Sequence, residues 1–186
     1  MTYTIVGCGD SAKDWVPNGI SIGVNDCWKF GKPTDYLVVV NSPLKFNPKT
    51  SNGFTNRLKT ICDSTPKRFF CHDSTWRKWF KGAETLPMRT FNGKYVHQRV
   101  YSSKTSPFIA ITLAVKLGAT EIILWGVDML THHAFSPGKK DFQLEFEHYK
   151  ILFDELKIHG VNVFIGNKET VLKDYLPVYD LREANI

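Results

Sequence analysis

The chain has no run of about 20 apolar residues, so no segment reads as a membrane span. It does not open on a basic stretch followed by an apolar one, so no signal peptide is expected. Its four cysteines, Cys8, Cys27, Cys62 and Cys71, show no CxxC spacing. That excludes the common zinc and dithiol motifs and predicts free thiols in a reducing cytoplasm. Low-complexity tracts and internal repeats are missing too, which excludes disordered and solenoid classes. Metal-ligand spacing is also lacking. His132 and His133 are adjacent, and adjacent side chains rarely hold one ion together, so no metal site is expected. Asp26, Asp35 and Asp128 are the only inward-facing carboxylate candidates.

What is present fits one α/β domain spanning residues 1–186. The net charge of +6 is moderately basic, with small clusters at Lys67-Arg68, Arg77-Lys78 and Lys139-Lys140. Scattered charge of this kind usually solvates a surface, but it leaves an anionic ligand or a nucleic acid open. Trp76, Trp79 and Phe80 interleave with Arg77, Lys78 and Lys81. They would form a stacking surface if exposed, though their spacing suits one buried side of a short helix. Exposed rings around Trp76 would also leave a surface for self-association.

The most informative segment is Thr4-Ile-Val-Gly-Cys-Gly-Asp-Ser11. A β-branched run ends at Gly7, and Gly9, Asp10 and Ser11 follow. This predicts a buried strand over 3–8, a tight glycine turn and a short helix over 11–15. Gly7 and Gly9 are expected to allow positive φ and close approach of a ligand. The free N–H groups of the following helix would then suit a phosphate.

Ser21–Val24 and Asp35–Val40 read as further strands, ending in Asn25 and Asn41. Runs apolar on both faces mark central parallel strands. A helix is expected over 52–62, a strand over Arg68–Cys71, a helix over 73–81 and a strand near 86–91. Ser106 before Pro107 predicts an N-cap for a helix running to Gly118. Glu121–Trp125 reads as a strand ending in Gly126-Val-Asp128. A short lid follows over about 129–140, then a long helix over 141–159. Its apolar stripe is Phe142, Phe146, Tyr149, Phe153 and Leu156. A strand over Val161–Ile165 and a helix to about Tyr175 complete the pattern. The β-α alternation predicts a mainly parallel, doubly wound sheet flanked by helices. Several strands then end in small or polar residues on one edge, where ligands bind.

These residues resemble the bacterial sialyltransferases that use CMP-sialic acid and, more distantly, the pterin diphosphokinase-like proteins of Rossmann type. The family opens on a strand and G-N-G-P-S; here Gly7-Cys8-Gly9-Asp10-Ser11 stands there. Its second strand ends in Asn, like Asn25, and its third in Asn-Pro-Ser, like Asn41-Ser42-Pro43. Its Thr-Ser-Gly helix opening is matched by Thr105-Ser106-Pro107, and its Gly-to-Asp strand block by Gly118–Asp128. His133-Ala134-Phe135 replaces Tyr-Ala-Phe, Leu130 stands where a tyrosine is expected, and Gly166-Asn167-Lys168 replaces Pro-Asn-Ser. Residues 45–100 are essentially unmatched, and the family's catalytic histidine has no counterpart in the short lid.

The resemblance implies a Rossmann-like, cytoplasmic, metal-independent glycosyltransferase that takes a nucleotide-sugar as substrate and needs no other cofactor. It would bind a CMP-sugar and pass the sugar to a hydroxyl acceptor. By resemblance, Gly7, Cys8, Gly9 and Ser11 would hold phosphate or ribose, and Asn25 and Asn41 would contact the nucleotide or sugar. Ser106, Gly126 and Asp128 would complete the nucleotide pocket. His133 would meet the leaving phosphate, and His132, His133 and His148 are the candidate bases. A non-catalytic nucleotide-binding module, a diphosphokinase-like enzyme and a nucleic-acid-associated protein stand as alternatives. Self-association is left open.

Overall fold

The computed structural model describes residues 1–46, 57–129 and 142–180. Nine strands are found among them: β1 (Thr2–Val6), β2 (Ile20–Val24), β3 (Tyr36–Val39), β4 (Arg68–Cys71), β5 (Glu84–Thr85), β6 (Arg89–Thr90), β7 (Tyr101–Ser102), β8 (Glu121–Trp125) and β9 (Asn162–Ile165). The α-helices are α1 (Arg57–Asp63), α2 (Ser106–Lys116) and α3 (Phe142–Ile158). Seven strands form one all-parallel sheet in the order β5-β4-β3-β2-β1-β8-β9. β6 and β7 form a separate parallel pair.

Period-two alternation divides the core. Tyr3, Ile5, Ile22, Val24, Ile122 and Leu124 point to one face, with the buried residues of α2 and α3. Val6, Leu37, Val39, Ile123 and Trp125 point to the other, with Ile61 of α1 and Trp76. Eight consecutive residues of α2, Phe108–Val115, are buried, as expected of a helix apolar all round. The second face is covered mainly by short 3₁₀ turns, at Asp10–Asp14, Cys27–Phe30, Pro43–Phe46 and Ser74–Lys78. The C-terminal stretch closes the β9 edge. Ile165 donates to the Pro177 carbonyl at 3.0 Å and accepts from the Tyr179 amide at 2.9 Å.

Several expected elements take a different form. The helix expected over 11–15 is a five-residue 3₁₀ turn, and so is that expected over 73–81. In the second, Trp76 is drawn wholly into the core against Phe46, Phe69 and Phe80. Trp79 alone of the three rings there is exposed, so Trp76 offers neither a stacking nor a self-association face. The strand expected near 86–91 is cut to the two residues of β6, which leaves the main sheet, while β5, just before that range, extends it. The last expected helix is the 3₁₀ turn Val171–Asp174. Residues 52–56, most of the lid, Lys139-Lys140 and the side chain of Phe142 lie outside the described residues. No helix among the described residues is long and apolar enough to cross a membrane.

Candidate functional site

The strand order reverses at β1. From there the chain winds outward through β2 to β5 on one side and through β8 and β9 on the other. In a parallel sheet such a switch point opens a crevice beyond the strand carboxyl ends. The Gly7–Ser11 and Gly126–Asp128 turns flank it.

These two turns are clasped to each other. Gly7 donates to the Trp125 carbonyl at 2.7 Å and Gly9 to the Gly126 carbonyl at 2.9 Å. The Ser11 amide donates to Asp128 Oδ2 at 3.0 Å, and its hydroxyl donates to Asp128 Oδ1. Gly126 N–H in turn donates to Ser11 Oγ at 2.8 Å. Both Ser11 and Asp128 are buried. The expectation of a free N–H at the helix start is therefore corrected at Ser11, whose amide is held by a carboxylate of the same chain. The expectation of positive φ at Gly7 and Gly9 is corrected as well; of the glycines in these two turns it is Gly126 that has positive φ, at 67°. Gly7 and Gly9 are needed for close approach, but the approaching group is the chain itself. A Cβ at Gly7 would meet the Gly126 carbonyl oxygen at 2.2 Å, and one at Gly9 would meet Asp128 Oδ2 at 2.4 Å.

A second set of residues gathers beside this clasp. Asn25 ends β2 in the left-handed region, at φ 50°, where asparagine is one of the few tolerated side chains. Its Nδ2 donates to Ser106 Oγ at 3.1 Å. Its Oδ1 is buried and has no partner among the described residues. Cys8 donates to the Val24 carbonyl at 3.3 Å and to Asp26 Oδ1 at 3.6 Å. Burial, then the Asp26 charge, pushes the Cys8 thiol well up, so it acts as a neutral donor. The same causes push Cys27 up to about 12. Asp26 is buried and paired with Arg57 Nε at 2.9 Å. Lys29 places its Nζ 3.0 Å from the Cys8 carbonyl, bringing a cation to the glycine turn. Asn41 is exposed at the end of β3, and its carbonyl accepts from Trp76 Nε1 at 2.8 Å.

Ser106 does not cap α2, contrary to expectation. Thr105 is the N-cap residue, and no side chain caps there. Thr105 Oγ1 donates instead to Glu145 Oε1 at 2.7 Å, which leaves Ser106 Oγ turned to Asn25. Glu145 also accepts from the Thr105 amide at 3.1 Å, the Lys104 amide at 2.9 Å and Ser103 Oγ at 2.8 Å. It is only 1 % exposed, and it was missed in the sequence. Its signal was a charge in register with Tyr149, Leu152 and Leu156 on the buried face of α3. Arg57, Lys29 and Ser103 carried no spacing signal at all. The candidate bases His132 and His133 lie outside the described residues. His148 is half-buried, with its Nδ1 2.8 Å from Ser103 Oγ.

Among the described residues, no three His, Cys, Asp or Glu side chains gather as a metal site. Neither a family model nor a curated protein matches the sequence. Solved structures do match. CstII from Campylobacter jejuni, with the substrate analogue CMP-3FNeuAc, is 15% identical at a TM-score of 0.59, over 96% of this chain and 86% of that one. The sialyltransferase CST-II with a trisaccharide acceptor and CMP is 18% identical at 0.62, over 97% and 86%. The monofunctional α-2,3-sialyltransferase Cst-I from Campylobacter jejuni is 17% identical at 0.57, over 95% and 79%. At these identities the likeness is one of fold: the chain is built on the Rossmann-like α/β fold of the Campylobacter sialyltransferases.

Proposed function

We propose that this protein is a glycosyltransferase. It binds a CMP-activated sugar at the carboxyl ends of β1, β2, β3 and β8 and passes the sugar to a hydroxyl acceptor without a metal. The observation that carries this reading is the Asn25–Ser106 pair. It stands beside the topological switch point, at the end of β2, in a fold shared with structures that hold CMP, and the buried Asn25 Oδ1 still needs a donor. A ribose hydroxyl or a base amino group supplies one. Asn41 contacts the nucleotide from β3. Gly7, Cys8 and Gly9 present the turn to phosphate, with Lys29 countering its charge. Ser11, Gly126 and Asp128 hold that turn in shape from behind. His133 stabilises the leaving phosphate, with His132 beside it in sequence.

A thermal-shift titration with CMP, UMP, GMP and AMP tests the reading. CMP at about a hundred times its Kd should add roughly 2.7 kcal/mol, or about 5–10 °C at this chain length. CMP release from CMP-sugars, measured with and without a hydroxyl acceptor, then tests transfer. No shift with any nucleotide overturns the reading.

A further inference from the structure

We propose that Glu145 is a positioning residue for the nucleotide: from α3 it holds the loop before Ser106, and so fixes the Ser106–Asn25 pair in the form that takes ligand. The inference rests on the reading above, in which that pair meets a CMP-activated sugar. It gives a function to a buried carboxylate that reaches the pair only through this loop.

The loop between β7 and α2 is residues 103–105, and Glu145 binds every one of them. Its Oε2 accepts from Ser103 Oγ at 2.8 Å and the Lys104 amide at 2.9 Å. Its Oε1 accepts from the Thr105 amide at 3.1 Å and Thr105 Oγ1 at 2.7 Å. A carboxylate offers about four lone-pair sites, so these bonds satisfy it. The charge also lies in the first turn of α3 and against the N-cap residue of α2, and the dipoles of both helices favour it there. Thr105 has given its one proton to Glu145, so Tyr149 Oη donates to Thr105 Oγ1 at 2.9 Å and backs the grip from the next turn of α3. Burial, then the Glu145 charge, drives the Tyr149 phenol far up, so it remains a donor. Before the loop, the Tyr101 amide donates to Thr112 Oγ1 at 3.0 Å and ties β7 to α2.

Ser106 follows this loop directly, as the first residue of α2. Its Oγ accepts from Asn25 Nδ2 at 3.1 Å. That bond decides which end of the Asn25 amide is left for a ligand. A flipped amide would turn Oδ1 to Ser106 and offer a donor where an acceptor now stands. The Asn25 backbone has little room to adjust, with φ at 50° and its amide bonded to the Val38 carbonyl at 2.9 Å. Ser106 is therefore the movable half of the pair, and Glu145 is what keeps it from moving. Glutamine at 145 would put an amide donor where one oxygen accepts two bonds. Two donors of the loop would lose their acceptor, and the loop would shift.

The test is a calorimetric titration with CMP on the purified full chain, for the wild type, Glu145→Gln, Ser106→Ala and the double variant. Glu145→Gln should weaken CMP by about 10–100-fold. In the Ser106→Ala background the same change should weaken CMP by less than about twofold, although its loss of Tm persists. Affinity losses that simply add overturn the proposal, because they show that Glu145 does not act through Ser106. NMR of the ligand-free chain gives a second readout. The side-chain amide protons of Asn25 should exchange slowly with water in the wild type and quickly in Glu145→Gln; unchanged exchange overturns the proposal. Ser103→Ala removes one of the four bonds and serves where Glu145→Gln does not fold. It should weaken CMP by about threefold, and undiminished affinity overturns the proposal. A wild-type chain that binds no nucleotide overturns the transferase reading, and this inference with it. A Glu145→Gln chain that binds CMP as tightly as the wild type overturns this inference alone.

Discussion

The residue that explains most per atom is Asp128. One buried carboxylate accepts both donors of Ser11 and fills the space above Gly9. Asp128→Asn replaces an acceptor with an amide donor that must face a donor. It should cost about 1–3 kcal/mol, read as a lower Tm by calorimetry. Gly9→Ala should cost more than its change in flexibility, because the new Cβ would lie 2.8 Å from the Gly126 carbonyl as well as against Asp128. A Gly9→Ala protein as stable as the wild type would refute the clasp. At this scale the sequence was legible where chemistry is local. Gly7, Gly9, Ser11 and Asp128 were all singled out, and the structure brings them together. What they touch was not legible, because the partner of Ser11 is 117 residues away. Nothing in a glycine turn says whether its space is filled by a ligand or by the chain.

Strand pairing is pinned by an acidic residue at an amino end. Asp35, just before β3, accepts from the Ser21 amide at 3.0 Å, the Ser21 hydroxyl at 2.9 Å and Lys67 at 2.7 Å. Burial works to raise its carboxyl, but Lys67 and Ser21 outweigh burial and hold it below the ordinary carboxylate range. A lowered folded-state value means the stabilisation is present above the unfolded value, near pH 4. It is lost as pH falls through the folded value. Asp35→Asn should therefore be less stable than the wild type at pH 7, and the two should converge below about pH 4. Acid melting curves that stay parallel would refute it. Elements were legible where burial and propensity agree, as in β4 and β8, whose bounds match at both ends. They were misread where tertiary packing takes over. Trp76 turns Ser74–Lys78 into the core as a single 3₁₀ turn, too short to propagate as an α-helix. The competition for Thr105 by Glu145, 40 residues on, moves the start of α2.

For the whole molecule, the sheet has one edge that the chain itself covers. Pro177–Tyr179 runs along β9, and Tyr179 accepts from Asn18 Nδ2 at 3.0 Å and packs on Phe164. A chain ending at Leu176 bares the β9 edge, and bare parallel edges pair with other chains. It should melt lower, by about 2–4 °C for each kcal/mol lost, and elute as larger species on size exclusion. A monomer with unchanged Tm would show that the cover is dispensable. The parallel α/β architecture was legible as a whole because alternation of apolar runs is a property of the entire sequence. The position of β5, and the departure of β6 and β7 from the sheet, were not, because two-residue strands carry no periodicity.

The central place of β1 also sets a clock. Val6 pairs with Gly23 on one side and Trp125 on the other. On the ribosome its first neighbour follows almost at once. The second emerges only about 6–24 s later, at roughly 5–20 residues per second. During that wait the nascent chain presents an apolar strand with one open side, next to a glycine turn whose carboxylate has not yet been made. The clasp that shapes the candidate site is thus among the late events of biogenesis, and the half-made sheet is the form of this protein most in need of a chaperone.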